Sequence, residues 1–246
     1  MKTIETRRSI RKYADRPVDD TLLRRLLAQA ERTQTMGNLQ LYSVVVTRDA
    51  EMKRRLAPAH FNQPMVTAAP VVLTFCADTR RTTIWAENRQ AVPGYGNFLS
   101  YQNAATDALL FCQTFCNLAE EEGLGCCFLG TTVYMPQLII DTLKLPRLVM
   151  PVATITLGWP DEQPPLTDRL PLEAVAHHET YCDYTPERID RFYSAKESLP
   201  ENREFVAVNH KQTLAQVYTD CRYTKKDNEA MSAGMIEALK KQGFMQ

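Results

Sequence analysis

The stretch Ala104-Ala105-Thr106-Asp107-Ala108-Leu109-Leu110-Phe111-Cys112-Gln113-Thr114-Phe115-Cys116-Asn117-Leu118-Ala119-Glu120-Glu121-Glu122 decides the fold. It is apolar almost all round, and a helix of that kind belongs in a large core or a subunit interface. Gly123 stops it, and Cys126–Leu129 follows as a short strand. Upstream, Asp19-Asp20-Thr21 offers cap residues, and Leu22, Leu23, Leu26, Leu27 and Ala30 recur with helical period. Residues 41–47 read as a strand. Residues 70–76 read as another, apolar enough to be buried on both faces. Residues 80–103 carry Pro93, Gly94 and Gly96 and read as an irregular excursion with room for one short helix. A helix over 136–144 and a strand over 152–158 complete the body. There is no steady alternation of strand and helix, so the expected class is α+β rather than a doubly wound sheet.

Past Gly158 the composition changes. Pro160, Pro164, Pro165 and Pro171 mark an extended arm, followed by two polar helices near 186–197 and 227–242. With few apolar anchors, this region is expected to wrap a preformed body, its own or a second copy's. The expected organisation is one domain over residues 1–246, with the body at 1–158 and the arm and its helices at 159–246.

Lys plus Arg and Asp plus Glu are equal at 29 each, which argues against nucleic acid as a partner. No apolar run approaches a membrane span, and the opening Met-Lys-Thr-Ile-Glu-Thr-Arg-Arg lacks the apolar core of a signal peptide. Seven irregularly spaced cysteines fit free thiols in a reducing compartment, so a cytoplasmic location is expected. No zinc spacing is present, and the His177-His178 pair reads as surface or capping residues rather than metal ligands. Gly123-Leu124-Gly125 begins like a dinucleotide fingerprint, but Phe128 stands at the third glycine position. Walker, Gly-x-Ser-x-Gly and HExxH sequences are absent as well.

Against this neutral background, Thr6-Arg7-Arg8-Ser9-Ile10-Arg11-Lys12-Tyr13 packs four cations into six residues. Arginine forks and a serine hydroxyl bind a phosphate dianion through charge-assisted hydrogen bonds. Three further segments accompany it: Arg32 to Tyr42 around Gln34-Thr35-Met36-Gly37-Asn38, Gly123-Leu124-Gly125 through Leu129-Gly130-Thr131, and Val152 through Gly158-Trp159-Pro160. In this order the four resemble the motifs of the flavin-dependent nitroreductase family, across the whole chain. Within that family the resemblance is to the larger NADPH-dependent nitroreductase and flavin-reductase branch. It rests on Gln63 ahead of Phe75-Cys76-Ala77-Asp78, on Arg169-Leu170-Pro171 before His178-Glu179, and on the ending Ala238 to Phe244.

The resemblance implies a nitroreductase-type α+β fold, a mixed sheet flanked by helices, working as a homodimer with FMN at the interface. Arg7, Arg8, Ser9, Arg11 and Arg169 would hold the phosphate. Gln63, Leu129, Gly130 and Thr131 would contact the ring. Gln34, Thr35, Met36 and Asn38 would be laid against it by the second subunit, and Arg203 would meet the 2′-phosphate of NADPH. The implied activity is two-electron, ping-pong reduction of nitroaromatics, quinones, flavins or related acceptors by NADPH or NADH. FMN carries the chemistry, and no catalytic acid or base is nominated. Asp107, inside the apolar helix, reads as a satisfied structural acid. The chain departs from the family pattern where Thr131 replaces a glycine, Thr167 replaces a lysine, and Leu41-Tyr42 replaces Pro-Trp. Two alternatives use the same flavin site: storage or sensing of FMN without turnover, and a flavin-degrading or dehalogenating enzyme of the same fold.

Overall fold

The computed structural model describes residues 4–245. Its four strands are β1 (Tyr42–Thr47), β2 (Val71–Asp78), β3 (Gly125–Leu129) and β4 (Val149–Gly158), ordered β1-β2-β4-β3. All three pairings are antiparallel, which corrects the expected mixed sheet. The cause lies in the connections. Helices α2 (Ala50–Leu56) and α3 (Pro64–Ala68) join β1 to β2, and α6 (Pro136–Leu143) joins β3 to β4. Each link returns the chain at the end where it left, with Thr47 opposite Val72 and Leu129 opposite Thr154. A parallel neighbour would need a crossover from the far end.

The central strands β2 and β4 are buried along their whole length, as their largely apolar sequences favour. Helix α1 (Asp20–Ala30) starts where Asp19 Oδ1 accepts from the backbone N–H groups of Thr21 and Leu22, and it buries Leu23, Leu26 and Ala30. The long apolar helix is α5 (Phe98–Glu121). It begins six residues before the sequence-based start, because Asn97 caps it by accepting from Ser100 N. The excursion before it contains one short helix, α4 (Arg80–Glu87). One face of α5 buries Tyr101, Ala104, Ala108, Phe111, Phe115 and Ala119; Phe75 and Tyr42 from the sheet meet Phe111 ring to ring. The other face leaves Phe98, Leu99, Leu109 and Leu110 exposed. Gly123, at φ +82°, turns the chain out of α5 in the left-handed region that favours glycine.

The described chain divides into two compact units. The first runs through Pro165 and resumes from Met231; the second is Leu166–Ala230. In the first, the end of α10 (Lys225–Lys241) and the residues after it bring Leu239 and Phe244 into the core, and Gln242 donates to the carbonyls of Pro146 and Val149. The second contains α7 (Pro186–Ser198), α8 (Pro200–Val208) and the single turn α9 (Leu214–Val217). Helices α8 and α9 escaped the sequence reading, being short and without a repeating apolar period. In this unit Lys196 pairs with Asp168 at 2.9 Å, and Tyr184 donates to the carbonyl of Ala174.

Candidate functional site

The arginine segment is fastened to the β3 edge of the sheet. Ile10 N donates to Cys126 O at 3.0 Å, Ala14 N to Trp159 O at 2.9 Å, and Asp161 N to Lys12 O at 3.0 Å. The Tyr13 hydroxyl donates to Ile10 O at 2.7 Å and lies 2.6 Å from Thr156 Oγ1. Burial pushes this phenol far above its ordinary range, so it stays protonated and can donate. Glu162 Oε1 accepts from the backbone N–H groups of both Arg11 and Lys12. Those bonds hold its carboxyl below the usual carboxylate range. Two glycines make the approach possible: a Cβ on Gly125 would come within 2.6 Å of Ile10, and one on Gly158 within 2.7 Å of Tyr13.

This fastening leaves Arg7 and Arg8 at a cleft of about 350 Å³, lined also by Glu120, Gly125 and Glu162 among others. Arg8 donates to Thr6 O at 2.9 Å, while its Nε is buried with no hydrogen-bond partner. Arg7 lies 3.8 Å from Glu120, which burial pushes up to about 7. Burial raises the pKa of the Cys127 thiol, and the charges of Arg11 and Arg7 pull it back. Neither Arg8 nor Arg11 is ion-paired to a carboxylate among the described residues. Ser9 is half-buried within the same segment.

At the far end of β3 the chain presents Leu129, Gly130 and Thr131. Leu129 is buried with Cys127, Ala57, Met65 and Val66, and Tyr13 packs against this group. That cluster sets α3, and Gln63 just ahead of it, beside β3. Gln63 stands at the cap position of α3, but its side chain caps nothing there. A Cβ on Gly130 would meet nothing within 4 Å, so the space above it is open. Thr131 Oγ1 is 2.8 Å from Nδ1 of His60, in the turn that leads to Gln63. The structure thus gathers Arg7, Arg8, Ser9, Arg11, Gln63, Leu129, Gly130 and Thr131 around one strand.

It does not bring the loop before β1 to that strand. Gln34, Thr35, Met36 and Asn38 lie just before β1, at the opposite edge of the sheet. Their loop is pinned by Asp107, 1% exposed, whose two oxygens accept from Met36 N at 2.8 Å and Leu41 N at 3.1 Å. Asp107 is therefore a satisfied structural acid. Arg169 belongs to the second unit, where its guanidinium donates to Thr167 Oγ1 and Asp168 O, both at 2.8 Å. Arg203 is exposed on α8 of the same unit.

Sequence reasoning missed Glu120, Glu162 and His60. Each reaches the site from a distant part of the chain, and only His60 left a trace, three residues before Gln63. Trp159 donates Nε1–H to Pro17 O and carries the Arg16 guanidinium 3.7 Å from its ring centre. Among the described residues no group of His, Cys, Asp and Glu could hold a metal. No helix there is long and apolar enough to cross a membrane.

Comparison with known proteins agrees with this geometry. The nitroreductase family model matches residues 4–159. An FMN reductase [NAD(P)H] of Bacillus subtilis is 29% identical, covering 99% of this chain and 97% of its own length. An oxygen-insensitive NADPH nitroreductase of Salmonella typhimurium is also 29% identical, over 96% of this chain and 94% of its own. A crystal structure from Bacteroides fragilis NCTC 9343 is 59% identical over the whole of both chains, with a TM-score of 0.99. With the family's match running from the arginine segment through β4, this chain belongs to the nitroreductase family.

Proposed function

We propose that this chain is an FMN-dependent NAD(P)H oxidoreductase that reduces nitroaromatics, quinones, flavins or related two-electron acceptors. The observation that carries the reading is the arginine segment fastened at the start of β3, with the open turn at Gly130 at the strand's other end. The donor set fits FMN. Three guanidinium groups, one with a buried and unpartnered Nε, suit a phosphate dianion. The open backbone at Gly130 suits a flat ring. At about 1.5–3 kcal/mol for each charged hydrogen bond, two or three of them offset the entropic cost of holding the group. Bound there, FMN would supply the two-electron redox chemistry. Arg7, Arg8, Ser9 and Arg11 bind its phosphate, with Arg169 as a further cation, and the Gln63 amide orients the ring edge beside Leu129, Gly130 and Thr131. Arg203 serves the NADPH 2′-phosphate.

The working form is a homodimer in the cytoplasm. Met36 is tied to Asp107 and Arg7 faces Glu120, thirteen residues further along α5. That is about 20 Å of helix at 1.5 Å per residue. One chain therefore holds its Gln34–Asn38 loop away from its own arginines, and the loop serves a second copy's flavin. The exposed Phe98, Leu99, Leu109 and Leu110 of α5 provide the apolar face for that union. The arm after residue 158 reaches the second copy.

The test is the visible spectrum of the purified protein with FMN, before and after anaerobic NADPH or NADH. A flavin spectrum that bleaches within seconds supports the oxidoreductase. A flavin spectrum that neither nucleotide bleaches favours storage or sensing, and a protein that takes up no FMN overturns the reading. A solution mass near 28.1 kDa, that of one chain, would overturn the dimer.

A further inference from the structure

His60 is fully buried, and its ring touches Thr131 among the gathered residues. Its Nδ1 lies 2.8 Å from Thr131 Oγ1, while its Nε2 is buried with no hydrogen-bond partner. Burial lowers its pKa to about 4, so the ring is neutral and carries a single N–H. That proton has two possible seats. On Nε2 it would be an orphaned buried donor, the rarer and costlier arrangement. On Nδ1 it is satisfied by Thr131, and only a bare acceptor is left at Nε2.

The Nδ1–H form has a consequence for Thr131. Its oxygen then accepts from the imidazole, so its own proton must point elsewhere. Thr131 is half-exposed and follows Gly130, above which the space is open. The imidazole also joins two segments. Gln63 N donates to His60 O at 3.1 Å, and the intervening Phe61 and Asn62 both sit at φ +54°, a tight left-handed turn. Such non-glycine residues persist where the surroundings hold them.

We propose that His60 is a positioning residue: by donating from Nδ1 to Thr131 Oγ1, it makes the Thr131 hydroxyl a hydrogen-bond donor to the ring of the bound flavin. The inference rests on the FMN reading above. A donor aimed at the ring favours its electron-rich reduced form over the oxidised one. Thr131 thereby raises the tendency of the flavin to accept electrons, a setting that glycine at this position cannot provide.

The experiment has two parts. In the unmodified protein without FMN, ¹⁵N-resolved NMR of the histidine rings should find His60 neutral at pH 7 and protonated on Nδ1. Protonation on Nε2 would overturn the proposal. With FMN bound, the midpoint potential is measured for the wild type and for Thr131→Val, Thr131→Ser, His60→Leu and His60→Asn. Thr131→Val keeps the shape of the side chain and removes the hydroxyl. It should weaken the preference for reduced flavin about tenfold, a fall of roughly 30 mV for a two-electron couple. Thr131→Ser should stay at the wild-type value. His60→Leu should fall with Thr131→Val, and His60→Asn, with an amide N–H near the place of Nδ1, should recover. A merely structural role would change melting temperatures and leave the potentials alone. If FMN binds and Thr131→Val keeps the wild-type potential, this proposal fails while the oxidoreductase reading stands. Failure to bind FMN at all removes both.

Discussion

Arg7 stands 3.8 Å from Glu120, and burial nonetheless raises the pKa of that carboxyl to about 7. Desolvation thus outweighs the pull of the guanidinium. The folded chain holds the Glu120 proton more tightly than the unfolded chain, whose carboxyl titrates near 4.5. The resulting stability is complete below that value and is lost as pH rises through about 7. Glu120→Gln should flatten the melting profile between pH 5 and pH 8. At pH 8 it should gain on the wild type by about 1 kcal/mol, a few degrees for a chain of this size. Thermal melts across that range check it, and parallel profiles for the two proteins would contradict it.

Gly125 is the point where the arginine segment touches the sheet most closely, since an added Cβ would lie within 3 Å of three Ile10 carbons. Those are the branched root of the side chain, which cannot swing away. Gly125→Ala should cost about 1–3 kcal/mol by overpacking and displace Arg8 and Arg11 with Ile10. Melting temperature and FMN affinity should fall together. Unchanged affinity in a destabilised variant would separate the segment from the cofactor.

Asp107 pins the loop before β1 with both of its oxygens. In Asp107→Asn the amide nitrogen cannot accept, so one of the two N–H groups loses its bond at about 1–3 kcal/mol. Hydrogen exchange at Met36 and Leu41 should quicken well beyond any change within α5. Protection that stays at the wild-type level would mean the loop is held by other contacts.

Much of the body was legible because its signals are local. Asp19 before a leucine period, the largely apolar run of β2 and the glycine after α5 each act within a few residues. The start of α5 was not, because Gly94 and Gly96 mask a cap made by Asn97. Strand direction was misread as mixed, since it depends on where each connection returns. In the site, Arg7, Arg8 and Arg11 stood out as dense charge on a neutral chain. The carboxylates of Glu162 and Glu120 did not, because their link to the segment exists only after folding. Thr131 was visible as a departure from the family pattern, yet its partner His60 lies 71 positions away.

The fastening of residues 10–14 has a consequence for the order in which the protein can assemble. Their attachment points, Cys126, Thr156, Trp159, Asp161 and Glu162, are all synthesised more than a hundred residues later. The arginines are thus made early and set late, after β3 and β4 have formed. Loop closure over that span is entropically slow and pays nothing until the last contact arrives. A nascent chain therefore carries its cations loose through most of translation, and the phosphate pocket is among the last features to mature.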